Sequence, residues 1–147
     1  MNMMITQQQL QELVGAAMAA RQLAYAPYSD QSVGAAVLTA EGQIYTGCNI
    51  ENAAFAPSLC AERVALAKAI SSGERRLVAI AICGGPVGTP AGKEGLFYPC
   101  GVCRQMLAEF ASGEMIVICA SDEQHYQQIT LAELLPYPYP PDSLTTK

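Results

Sequence analysis

Tryptophan is absent from this 147-residue chain, histidine occurs once and phenylalanine three times. Charge is scarce as well: 8 Lys and Arg against 13 Asp and Glu make up 14% of the residues and leave a net charge of −5. A soluble domain ordinarily carries about 25% charged residues. An acidic chain with so few cations is a poor match for a nucleic-acid groove or an anionic membrane surface, so neither is expected as a partner. No apolar run reaches the roughly 20 residues that a spanning helix needs. Residues 1–12 show no basic segment followed by an apolar stretch, so no secretory signal is expected and the reading is cytoplasmic. The single histidine, His125, lies in a polar segment and reads as a surface residue, so a metal site would have to draw on other ligands.

What is present points to a folded protein. Hydrophobic residues make up 51% of the chain, too many for disorder. The length suits one domain over 1–147, with a Tyr/Pro-rich tail over 137–147. Residues 6–22 read as a helix, with capping-box spacing between Thr6 and Gln9 and an apolar stripe of Leu10, Leu13, Val14, Ala17 and Met18. Residues 33–39 and 43–48 read as a hairpin turning at Ala40, Glu41 and Gly42. Residues 60–71 and 101–111 are expected helices, with Gly73 and Gly113 as their stops. The continuous apolar run 77–83 and the short run 115–119 are expected buried strands, and 84–98, rich in Gly and Pro, an expected loop. A short capped helix over 130–135 ends at Pro136. Helices alternating with buried strands imply an α/β layered fold.

The six cysteines divide by setting. Cys48, Cys83 and Cys119 end apolar runs and read as small buried hydrophobes. Cys60, Cys100 and Cys103 stand where loops enter helices, in Cys60-Ala61-Glu62-Arg63 and Pro99-Cys100-Gly101-Val102-Cys103-Arg104. A thiol at a helix start meets unpaired N–H groups and the positive end of the dipole, which favours the thiolate. In a reducing compartment such a cluster signals metal or redox chemistry. Three thiolates can share one zinc ion and leave a fourth position open, the pattern of a catalytic site. Glu62 would stand beside that position as a base, provided the metal lies beyond the helix tip. Three thiolates on a dication leave a net −1, which weakens its Lewis acidity. Guanidinium groups from Arg63 and Arg104 could draw off part of that charge.

Two other classes fit fragments of the pattern. Cys100-Gly101-Val102-Cys103 alone would suit a dithiol oxidoreductase. A zinc-stabilised binding module is the other, but a structural site closes with a fourth protein ligand.

The combination of Cys-x-Glu with Pro-Cys-x-x-Cys is the three-cysteine form of the zinc deaminase signature. Together with Tyr28-Ser29, Val33-Gly34-Ala35-Ala36, the run from Thr46 to Ala53, Arg104-Gln105 and Leu134-Leu135-Pro136, it resembles the cytidine deaminase family, small homotetrameric type, across residues 28–136. The resemblance implies a three-layer α/β/α sandwich around a mixed five-stranded sheet, the fifth strand falling near 124–128. It implies one Zn²⁺ per subunit on Cys60, Cys100 and Cys103, with Glu62 as proton shuttle. It places Asn49 and Glu51 on the ribose hydroxyls of a nucleoside, and Ala61, Tyr98 and Gln31 among the substrate contacts. Glu51 would repel a phosphate, and no Gly-rich phosphate loop appears. The implied reaction is hydrolytic deamination of cytidine and deoxycytidine in pyrimidine salvage. Gln31 and Ser32 stand where the family usually has Phe-Pro, which leaves room for another aminated ring, as in blasticidin S-type deaminases. Tyr98 replaces the usual Ser, and Tyr139 or Tyr137 would reach a neighbouring subunit's pocket.

Overall fold

The computed structural model describes residues 5–89 and 95–140. Thr6 caps helix α1 (Gln7–Arg21): its side chain accepts from Gln9 N while the Gln9 side chain accepts from Thr6 N. Strands β1 (Gln31–Thr39) and β2 (Ile44–Cys48) pair antiparallel around a turn in which Gly42 takes φ +87°. Helix α2 (Ala61–Ser71) leads to β3 (Leu77–Pro86), helix α3 (Gly101–Phe110) to β4 (Ile116–Ala120), and β5 (Tyr126–Thr130) runs into the one-turn helix α4 (Leu131–Leu134). The sheet order is β2-β1-β3-β4-β5, and only the β3–β4 pair is parallel. This is the mixed five-stranded sheet that the resemblance implied.

Alternation along the central strands divides the core into two layers. Ile80 and Ile82 of β3 pack with Val117 and Cys119 of β4 against α2, α3 and α4. Ala79, Ala81 and Cys83 pack with Ile118 and Ala120 against Leu10, Leu13, Val14 and Ala17 of α1. The α1-facing side is largely alanine, so this helix lies close to the sheet. Burying a Leu or Val contributes about 1.5–3 kcal/mol, so the α1 stripe alone accounts for several kcal/mol before chain entropy is set against it.

The strands differ from their expected spans where pairing adds hydrogen bonds that apolar patterning does not reveal. β1 starts at Gln31 because Gln31 and Ser32 pair with Pro86 and Gly85. β3 accordingly runs on through Pro86, so residues 84–86 of the expected loop are strand. The same pairing buries Ser32, whose carbonyl and hydroxyl accept from Arg21 Nε at 3.1 and 2.9 Å. The fifth strand lies two residues beyond its expected start. Cys83 and Cys119 are buried as expected, but Cys48 is only half-buried, because β2 is an edge strand. Gly73 stops α2 at φ +103°, whereas Gly113 has no positive φ and instead lets Ala132 approach to 3.1 Å from where a Cβ would stand. The expected tail falls partly outside the described residues, which end at 140.

Candidate active site

Two helix starts converge on one point. Cys60 and Cys100 are the N-caps of α2 and α3, and both are extended (φ −75°, ψ 152° and φ −68°, ψ 169°). Extended caps throw their side chains across the open end of the helix, where four backbone N–H groups lack partners. Cys100 Sγ accepts from Cys103 N at 3.4 Å, so the second thiol of the Cys-x-x-Cys pair returns to the first. Gly47 of β2 makes the approach of α2 possible. A Cβ there would lie 2.5 Å from Ala65 N and 2.6 Å from Ala61 O, closer than any side chain permits.

The three thiols form a cluster whose Sγ atoms all lie within 4.8 Å of one another. Cys60 and Cys100 are 3.8 Å apart, and Cys100 and Cys103 3.4 Å. Zinc with Zn–S bonds of about 2.3 Å in a tetrahedron requires sulfurs about 3.8 Å apart, so the donor set fits the metal before it arrives. Arg63 completes the cluster. Its Nη2 donates to Ser58 O at 3.0 Å and to Cys60 Sγ at 3.6 Å. The hydrogen bond from Cys103, with further help from Arg63, lowers the Cys60 thiol to about 5. Cys103 is pushed the other way by the same hydrogen bond and by burial.

Glu62 sits in the first turn of α2, only 5% exposed, and lines the same pocket as Cys60 and Cys100. Burial pushes its carboxyl up to about 7, and the Cys60 charge adds to that, against pulls from its own backbone N–H, the Cys103 thiol and Arg63. A carboxyl poised near neutrality can both accept and release a proton.

The pocket holds about 270 Å³, near the lower end of small-molecule sites. Asn49 and Glu51 line it as well. Asn49 Oδ1 accepts from Val33 N at 2.8 Å and its Nδ2 donates to Gln31 O at 2.8 Å, so β1 holds the amide in place. Glu51 Oε1 accepts from Tyr28 N at 3.0 Å and Ser29 N at 3.1 Å. Hydrogen bonds from the Ser29 side chain and from both backbone N–H groups keep this carboxylate below its usual range, so Glu51 is an anion.

Most of the expected site residues meet here: Cys60, Ala61, Glu62, Arg63, Asn49, Glu51, Tyr98 and Cys100 line one pocket, and Cys103 closes the thiol cluster beside it. Three do not. Arg104 was expected at a sulfur, but its Nε donates to Pro99 O at 2.8 Å and its Nη1 to Leu134 O at 2.9 Å, tying the loop before α3 to α4. Gln31 is not among the lining residues; its carbonyl serves Asn49. Tyr139 is 76% exposed, with its backbone held by the Gln105 side chain at 2.5 and 3.2 Å, and Tyr137 is exposed too. Val33, Leu59, Ile82 and Phe97 also line the pocket and escaped sequence reasoning. Val33 and Ile82 sit in apolar strands that read as core, and Phe97 sits in an expected loop.

A three-thiol donor set at two helix starts, beside a buried carboxyl, defines the zinc-hydrolase class of site, and zinc is its cofactor. Comparison with known proteins narrows that class. The family model described as the cytidine and deoxycytidylate deaminase zinc-binding region matches residues 7–119, and this chain belongs to that family. It is 41% identical over 136 residues to a cytidine deaminase of Sporosarcina psychrophila, covering 92% of this chain and 95% of that protein. It is 43% identical over 126 residues to a cytidine deaminase of Halalkalibacterium halodurans, covering 86% and 90%. A crystal structure of cytidine deaminase from Burkholderia pseudomallei superposes with a TM-score of 0.76 at 38% identity, covering 87% of this chain and 97% of that one.

Proposed function

We propose that this chain deaminates cytidine and deoxycytidine hydrolytically, giving uridine and deoxyuridine with release of ammonia. The observation that carries this reading is Glu62, a buried carboxyl beside three thiols, in a pocket that also holds an anchored Asn49–Glu51 pair. Cys60, Cys100 and Cys103 hold zinc, which when bound lowers the pKa of water and supplies a nucleophile at neutral pH. Arg63 drains charge from the thiolates through Cys60. Glu62 moves the protons. It takes one from water and delivers it to N3 of the ring as the oxygen adds to C4. It then carries the new hydroxyl's proton to the amine, which leaves as ammonia while C4 becomes a carbonyl. Water's oxygen ends as O4 and the first proton remains on N3, so the atoms balance.

Asn49 and Glu51 take the ribose hydroxyls, and the anionic Glu51 disfavours a phosphate, so the substrate is a nucleoside. Ala61 and the Tyr98 backbone face the amine. The reaction belongs to pyrimidine salvage, in the cytoplasm. No helix among the described residues is long and apolar enough to cross a membrane. We read 1–147 as one domain acting as a homotetramer with one zinc per subunit, in which Tyr139 reaches a neighbour's pocket. The exposed apolar group Leu23, Tyr25, Tyr28 and Phe55 supports assembly. A gel-filtration mass near 15.6 kDa would contradict it.

The test is a panel of cytidine, deoxycytidine, other aminopyrimidines and blasticidin S, read by ammonia release on protein of measured zinc content. Turnover of cytidine and deoxycytidine is expected. Turnover of a non-nucleoside with cytidine inert would overturn the substrate assignment. Zinc-free protein cycling with a disulfide would overturn the class.

A further inference from the structure

We propose that Phe97 is the aromatic wall against which the substrate's base lies, an inference that rests on the nucleoside reading above. A nucleoside presents two unlike parts to a pocket, a polar sugar and a flat unsaturated ring. The sugar's partners in that reading are Asn49 and Glu51. The ring's reacting carbon must reach the three thiols and Glu62. The flat ring then needs an apolar surface in the same pocket, beside Cys100.

Phe97 meets that need. It lies three residues before Cys100, lines the pocket and is packed from behind against the core layer under α2 and α3. Its position is set by Gly84. A Cβ at that glycine would stand 2.8 Å from Phe97 Cγ and Cδ2 and 3.0 Å from Cε2, so the ring rests on bare backbone of β3. Gly84 is paired with Val33, itself a pocket residue, so the phenyl ring and Val33 are neighbours across two strands. Any side chain at 84 would displace the ring from this place.

The other aromatic groups are committed elsewhere. Tyr98 lines the pocket mouth, half exposed, and its hydroxyl bonds to Gln127 Oε1 at 2.5 Å, which draws it toward β5. Tyr28 and Phe55 pack edge to face on each other, both exposed. Gln31, the base contact expected from sequence, is outside the lining. Phe97 therefore takes the place that a glutamine at 31 leaves without an aromatic group.

The experiment compares two competitive inhibitors of cytidine deamination, uridine and 5,6-dihydrouridine. They share the sugar and ring substituents, but saturation at C5–C6 removes the flat π-face. Loss of base–aromatic stacking weakens binding about 5- to 150-fold. Phe97→Ala is expected to raise the inhibition constant of uridine at least fivefold and that of 5,6-dihydrouridine less than threefold. Phe97→Tyr should restore the wild-type ratio, and Phe97→Leu, which keeps most of the volume, should behave as Phe97→Ala. Gly84→Ala should raise the uridine constant by displacing the ring while Phe97 remains. Equal weakening of both inhibitors in Phe97→Leu, or no change in either, overturns the proposal. Wild-type protein that neither deaminates cytidine nor binds uridine overturns the nucleoside reading and this inference with it. An active wild type with an unchanged ratio in the variants overturns this inference alone.

Discussion

The thiol cluster and the Asn49–Glu51 pair are built by different means. In the cluster, Cys60 and Cys100 are placed by the first residues of two helices, and Cys103 follows one turn later. Local rules orient each thiol (an extended cap, a helix start, a three-residue return), and the fold brings Cys60 to Cys100 across 40 residues. In the pair, Asn49 and Glu51 are oriented by backbone groups of Gln31, Val33, Tyr28 and Ser29, from 16 to 23 residues away. The base wall depends on a ring and a glycine from separate segments. The thiols are therefore oriented by their own helices, and the sugar contacts by distant backbone groups. Variants of the three thiol ligands should abolish metal and rate together. Those of the Asn49–Glu51 pair should change binding and leave the metal in place.

The largest expected effect is at the thiols. Cys103→Ser replaces a buried ligand, and zinc per chain measured by elemental analysis should fall from one to near zero, with cytidine turnover lost beyond a thousandfold. Retention of stoichiometric zinc would show that Cys103 is not a ligand and would break the comparison.

In the Asn49–Glu51 pair, Glu51→Gln removes the charge that accepts two backbone N–H groups. Hydrogen bonds to charged groups contribute about 1.5–3 kcal/mol. The Michaelis constant for cytidine should rise at least tenfold with zinc content unchanged. Loss of zinc in this variant would mean that the cluster and the pair are not independent. Arg104→Ala should release the two carbonyls that tie α3's entry to α4 and lower stability by about 1–3 kcal/mol, seen as a lower denaturant midpoint. If it instead strips the metal, Arg104 acts at the thiols after all.

The smallest effect is expected at Gln31. The family pattern suggested that Gln31→Phe would tighten cytidine binding. With Gln31 outside the lining and serving Asn49 through its backbone, the change should alter the Michaelis constant less than threefold. A larger fall would place residue 31 back at the base.

What could be read from the sequence follows the same division. The α1 cap, the stop at Gly73, the Cys100–Cys103 return and the place of Glu62 in the first turn of α2 are set by short-range spacing, and each appears where residue order placed it. The extension of β3 through Pro86 was hidden because its hydrogen bonds come from Gln31 and Ser32, two polar residues without strand patterning. Phe97 was hidden because it follows a Gly- and Pro-rich segment and gains its place only from contact with Gly84. Arg104 misled because adjacence to a ligand in sequence gives no direction to a long side chain. It turns to two carbonyls that only the folded chain brings near.

The account rests most on Glu62 as the proton carrier beside the metal. The direct measurement is the rate of cytidine deamination by Glu62→Gln at full zinc occupancy, relative to wild type. General acid–base catalysis contributes about 10²–10⁴-fold, so the variant should keep one zinc per chain and lose at least a hundredfold in rate. A fully zinc-loaded variant within about tenfold of wild type, below the range that a proton carrier supplies, would contradict it.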